Sequence, residues 1–171
     1  MKATRHLIKV FFIVPFNIMI VIPGLILWLS RQTGFLASFD WGFGGLSALS
    51  GVALIIAGTV IAWLCVSLFA GYGEGTPAPW DPPKRLVVLG MYRHVRNPLV
   101  EGVFCILLGE SLLLGSFALL LWFAFFVLLN LVYTPLIEEP ELIRRFGQPF
   151  LSYMQNVPRW LPRRNPWETQ T

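Results

Sequence analysis

Two short stretches of this chain gather the polar groups that can hold and move small molecules. The first reads Gly90-Met91-Tyr92-Arg93-His94-Val95-Arg96-Asn97-Pro98-Leu99-Val100-Glu101-Gly102. Its arginines suit carboxylates or phosphates. Pro98 suits the first turn of a helix, where its missing N–H costs nothing, and the free N–H groups of such a start can bind an anion. Glu101 falls about one turn into the apolar run that follows, where an unpaired carboxylate is costly; snorkelling or pairing with Arg93 or Arg96 would relieve it. The second stretch reads Glu138-Glu139-Pro140-Glu141-Leu142-Ile143-Arg144-Arg145-Phe146-Gly147. Adjacent carboxylates repel unless cations or ligands neutralise them, and Glu141 and Arg145 stand at i,i+4, where a helix would pair them. Each stretch also has a plainer reading: a basic interfacial collar with a helix cap for the first, a solvated helix end for the second.

Other chemistry finds little support. The histidines are His6 and His94, and no Cys/His/carboxylate spacing resembles a metal site. There is no Walker motif, dinucleotide fingerprint or serine nucleophile elbow. Cys65 and Cys105 lie inside apolar runs and read as small buried hydrophobes rather than a disulfide.

The elements that must position these groups are membrane helices. Hydrophobic residues make up 56% of the 171 residues and charged residues 13%, against about 25% charged in soluble domains. Four apolar runs stand out, over residues 7–29, 45–70, 99–114 and 117–137. Pro15 and Pro23 are expected to kink the first, which is too long for a signal-peptide core and has no small-x-small cleavage site after it. Gly51 and Gly58 in the second would let a neighbouring helix approach closely. The third is short against the roughly 20 residues a bilayer needs, and Gly115-Ser116 joins it to the fourth as a tight hairpin. Glu110 lies near that hairpin's tip and Asn130 deep in the fourth run. Tyr133-Thr134-Pro135 is expected to bend the fourth run before its acidic exit. Residues 138–156 read as helical with a break near Gly147 to Pro149, and Trp160 and Trp167 suit an interface.

With four spans, 12 of the 13 lysines and arginines fall on one side, and Arg31 alone on the other. This asymmetry places both termini in the cytoplasm. It explains the net charge of +4 by orientation and anionic headgroups, without nucleic acid. The expectation is an all-α polytopic membrane protein, with about four transmembrane helices, a C-terminal cytoplasmic helical segment and a single domain over residues 1–171.

The two stretches resemble the isoprenylcysteine carboxyl methyltransferase family, within the wider group that includes phospholipid methyltransferases. The family pattern Gly-x-Tyr-x-x-x-Arg-(His/Asn)-Pro-x-Tyr-x-Gly is met by Gly90, Tyr92, Arg96, Asn97, Pro98 and Gly102, with Val100 at the second Tyr. A second pattern is met by Glu138, Glu139, Leu142, Phe146, Gly147, Phe150, Tyr153, Val157, Pro158 and Arg159. The stretch from Gly75 to Pro83 is similar to a bacterial branch, which implies a bacterial inner membrane. The resemblance implies methyl transfer from S-adenosylmethionine to a lipid or small lipophilic acceptor at the cytoplasmic face, without a metal. It implies cofactor contacts at Tyr92, Arg96, Asn97, Pro98, Gly102, Glu138 and Glu139, a cofactor-binding part over about 88–162, and catalytic roles for Glu139 and for Arg144 or Arg145. It assigns no acceptor-binding residue. The alternative is a non-catalytic scaffold or lipid-binding protein on the same fold. A small transporter built on Glu101 and Glu110 is a third reading, weakened by the short hairpin and the lack of repeats.

Overall fold

The computed structural model describes residues 15–34, 45–72 and 85–168. The opening residues of the first expected span and the turn-rich residues 73–84 lie outside the described residues. All regular structure among the described residues is helical. A π turn (Asn17–Val21) leads into α1 (Ile22–Thr33), followed by α2 (Gly45–Tyr72), a 3-10 turn (Gly90–Arg93), α3 (Pro98–Leu113) and α4 (Phe117–Tyr133). A second π turn (Thr134–Glu138) carries α4 into α5 (Glu139–Phe146), and α6 (Gln148–Asn156) follows.

Prolines explain both π turns. A proline inside a helix removes one hydrogen bond and its ring clashes with the carbonyl one turn back; a widened turn relieves both. Pro23 stands in the first turn of α1, directly after one π turn, and Pro135 stands within the other. The first apolar run thus carries a π turn just before Pro23, and its helix continues to Thr33.

Two helical runs are long and apolar enough to cross a bilayer: Gly45–Phe69, with 25 residues, and Phe117–Phe146, with 30. Only 11% of the apolar window in each is buried inside the protein, whereas the core helix of a soluble protein is mostly buried. Leu49, Trp63, Leu128 and Leu136 all face outward. A bilayer covers such surface and water does not. The third helix has 16 residues and is short, as its sequence suggests.

The chain forms two compact units, each discontinuous in sequence. Unit 1 comprises Met1–Val60 and Gly102–Leu128. Its α2 and α3 run antiparallel along a seam of glycines. A Cβ on Gly51 would stand 2.7 Å from the Gly109 carbonyl oxygen, and one on Gly109 would stand 2.7 Å from the Gly51 carbonyl. A Cβ on Gly58 would overlap the Gly102 carbonyl and lie 2.7 Å from Ile106 Cγ1. The close approach expected at Gly51 and Gly58 is thus met, and α3 is the partner.

The hairpin after α3 is a glycine-terminated helix end. Gly115 adopts φ 55°, a left-handed conformation open to glycine, and the Ser116 N–H reaches back to the Ser111 carbonyl at 3.1 Å. Ser116 then caps α4, its hydroxyl accepting from the Leu119 N–H at 3.4 Å. Phe104 packs edge-on against Phe123 and Phe126, and the Trp122 indole donates to the Ile18 carbonyl at 3.3 Å.

Unit 2 comprises Ile61–Glu101 and Leu129–Thr171. Its core is Phe150, Tyr153 and Val157, packed by Leu86, Leu142, Ile143, Phe146 and Trp167. Gly147, at φ 59° and ψ −133°, turns the chain sharply between α5 and α6. Only glycine takes this backbone conformation readily, and here the sequence expectation of a break near Gly147 holds. Trp167, half-buried, packs against this core with its ring 5.8 Å from that of Tyr153.

Candidate active site

Both stretches singled out by their chemistry lie in unit 2, apart from Gly102. Asn97 precedes a proline, which disfavours helical backbone at that position. The helix therefore starts at Pro98, and the Asn97 carbonyl accepts the Glu101 N–H at 3.1 Å. The π turn around Pro135 ends at Glu138, and Glu139 opens α5. After α6, residues 157–168 form a strap that returns along the 93–96 turn. The Arg96 N–H bonds the Pro158 carbonyl at 2.9 Å, the Arg163 N–H bonds the His94 carbonyl at 3.0 Å, and the Trp167 N–H bonds the Arg93 carbonyl at 3.0 Å. The Tyr153 hydroxyl donates to the Tyr92 carbonyl at 2.6 Å.

These anchors converge on Glu139, which is only 5% exposed. Arg96 NH1 donates to its Oε1 at 2.7 Å. Arg159 grips both oxygens, Nε on Oε1 and NH2 on Oε2, each at 2.7 Å. One carboxylate between two guanidiniums leaves the trio with a net positive charge. Burial lowers the affinity of Arg96 for its proton and the nearby Arg159 charge adds to this, while Glu139 opposes it. The hydrogen bond to Glu139 raises that of Arg159.

Three buried polar atoms of the first motif have no hydrogen-bond partner among the described residues: Arg96 Nε, Asn97 Nδ2 and Glu101 Oε1. More than about 90% of buried polar groups in folded proteins are satisfied. Two donors and one acceptor thus stand open along the Arg96–Glu101 stretch of the first motif.

Tyr92 is a structural hub. Its ring meets Phe69 edge-on at 5.3 Å, its hydroxyl hydrogen-bonds the Cys65 thiol, and burial pushes its pKa well above the ordinary tyrosine value. Pro98 is fully buried. Glu138 is half-buried and takes a 3.4 Å hydrogen bond from the Thr134 hydroxyl. Gly102 belongs to unit 1, where its carbonyl lies against Gly58. Arg144 and Arg145 are exposed, with the Arg145 guanidinium over the Phe146 ring at 5.1 Å.

The arginines on Glu139 are thus Arg96 and Arg159. Arg159 was visible as the last residue of the Val-Pro-Arg motif, but it lies 20 residues from Glu139. A partner at that separation cannot be inferred from helical spacing. No group of three or more His, Cys, Asp or Glu residues arranged to hold a metal occurs among the described residues.

Comparison with known proteins bears on this arrangement. Residues 46–149, more than half of the chain, match the family model for phospholipid methyltransferases. Over 77 residues the chain is 34% identical to protein-S-isoprenylcysteine O-methyltransferase of Schizosaccharomyces pombe, a stretch that is 45% of this chain and 33% of that protein. The chain spans about a third of the length of this curated relative.

Proposed function

This chain belongs to the phospholipid methyltransferase family, and from that premise we propose that it transfers a methyl group from S-adenosylmethionine to a lipophilic acceptor at the cytoplasmic face of a bacterial inner membrane. The observation that carries the reading is the set of open polar atoms on Arg96, Asn97 and Glu101, where Arg96 also belongs to the Arg96–Glu139–Arg159 trio. Their chemistry fits the cofactor. Open donors on Arg96 Nε and Asn97 Nδ2 suit its carboxylate or ribose oxygens, and the open Glu101 oxygen suits its ammonium or a hydroxyl. Bound there, S-adenosylmethionine would supply a methyl group on a sulfonium, open to in-line displacement.

The chain's own part is alignment, which can contribute several kcal/mol to such a step (about 7–11 in favourable cases). Glu139 holds Arg96 and Arg159 in fixed orientations. The strap closes the site at the 93–96 turn. We assign the guanidinium role to Arg96 and Arg159 in preference to the exposed Arg144 and Arg145, and keep Glu138 as a further cofactor contact. A carboxylate acceptor needs no base, whereas an amine must lose a proton first.

The proposed setting is a single four-span domain. Its spans cover about residues 7–29, 45–70, 99–114 and 117–137, with both termini and the 138–171 segment cytoplasmic. The charge asymmetry supports this topology.

Two measurements on the full chain in lipid nanodiscs test the proposal. Calorimetry should detect S-adenosylhomocysteine binding that weakens at least tenfold in Asn97→Ala. A labelled-methyl assay against a fractionated lipid extract should give one class of lipid that gains label. No binding overturns the cofactor assignment; binding without transfer to any fraction favours a non-catalytic lipid-binding protein.

A further inference from the structure

Leu161 and Pro162 form an exposed knuckle of the strap, directly after the half-buried Trp160. The knuckle is held out between two anchors. Before it, the Pro158 carbonyl is bound by the Arg96 N–H at 2.9 Å and Arg159 grips Glu139 at 2.7 Å. After it, the Arg163 N–H bonds the His94 carbonyl at 3.0 Å, and the Arg163 guanidinium donates to the Asn156 carbonyl at 2.7 Å. Leu161, 80% exposed, is more open than the other large apolar side chains among the described residues.

A lone exposed leucine means little, but the knuckle's height and company give it meaning. The apolar run from Phe117 to Ile137 is long enough, at about 1.5 Å per residue, for the roughly 30 Å hydrocarbon layer. Glu139 therefore stands at headgroup level. Leu161 is two residues from Arg159, within about 7 Å along the chain, so it stands near that level too. Tryptophan and leucine beside arginine suit the membrane–water boundary. Arg164 is exposed next to the knuckle, and its charge complements anionic phosphates.

We propose that the knuckle docks into the headgroup layer of an anionic leaflet and so holds the strap, with Arg159, on Glu139. The inference rests on α4 crossing the bilayer, not on methyl transfer.

Nitroxide accessibility in the full chain tests it, with Cys65 and Cys105 replaced by alanine. A label at Leu161→Cys should collide with oxygen in several-fold preference to a water-soluble nickel chelate. A control label at Gln155→Cys, exposed on α6, should show the reverse. The preference at 161 should grow when phosphatidylglycerol is added to phosphatidylcholine nanodiscs, and Arg164→Gln should remove that growth. A label at 161 as open to nickel as the one at 155 would overturn the proposal and leave the knuckle to a soluble partner. So would an oxygen preference at 161 that ignores anionic lipid.

Should the cysteine-free chain fail to fold, a second measurement keeps the native cysteines. The Trp160 emission, taken as native minus Trp160→Phe, should be quenched by shallowly brominated phosphatidylcholine. Absence of quenching overturns the proposal.

Discussion

Glu139 carries more of the site than any other residue, because two guanidiniums from distant parts of the chain meet on it. Breaking a buried ion pair costs more than the pair contributes, since a charge is left without a partner. Glu139→Gln keeps the shape and strands Arg96 and Arg159, so it should destabilise the folded protein by about 3 kcal/mol. Thermal unfolding in detergent checks this, and Arg159→Lys, which keeps the charge and loses the two-pronged grip, should fall well short of that loss. The sequence shows Glu139, Arg96 and Arg159 each within a motif but not that they meet, because no local spacing links residues so far apart in the chain. Tyr92 and Tyr153 give a second prediction. Burial raises both above the ordinary value of about 10. The folded state then holds protons that the unfolded state releases, so stability is full below pH about 10 and falls as pH rises beyond it. An ultraviolet titration should show these hydroxyls ionising only as the protein unfolds in base. Tyr153→Phe should cost about 1–3 kcal/mol by leaving the buried Tyr92 carbonyl without its donor.

Helices were the most legible level. Apolar runs, prolines and the Gly115-Ser116 turn marked their bounds to within a few residues, because each boundary has a local cause. Widening of α4 into a π turn at Pro135 was legible only as a bend. The strap was legible only at its start, as the Val157-Pro158-Arg159 motif; the bonds that lay it along the 93–96 turn join residues about 60–75 positions apart, which no local spacing reveals. Helix contact was read from small residues, and it carries the prediction at this scale. Gly58→Val would drive a branched side chain into the Gly102 carbonyl and Ile106 of α3. It should force the helices apart and lower the thermal midpoint in detergent. Val52→Ala, on the exposed surface of the same helix, should leave the midpoint unchanged.

For the whole molecule, charge decides orientation. Reporter enzymes fused after Thr171 and inserted between residues 35 and 44 should report opposite sides of the membrane, with the C-terminal fusion cytoplasmic; a same-side result would remove the four-span topology. The short α3 helix also constrains how the protein enters the membrane. It has 16 residues and carries Glu101 and Glu110, and an acidic residue at the centre of an inserting helix costs up to about 3 kcal/mol. Alone, it is a poor candidate for partition from the translocon. The strongly apolar α4 follows after a turn of three residues, and Ser116 caps that helix as soon as the turn closes. During biogenesis α3 would therefore wait for α4 and enter as half of a hairpin. In a chain released after Ser116, a single cysteine at Leu114 should be labelled from the cytoplasmic side, and in the full chain the same cysteine should be labelled from the opposite side.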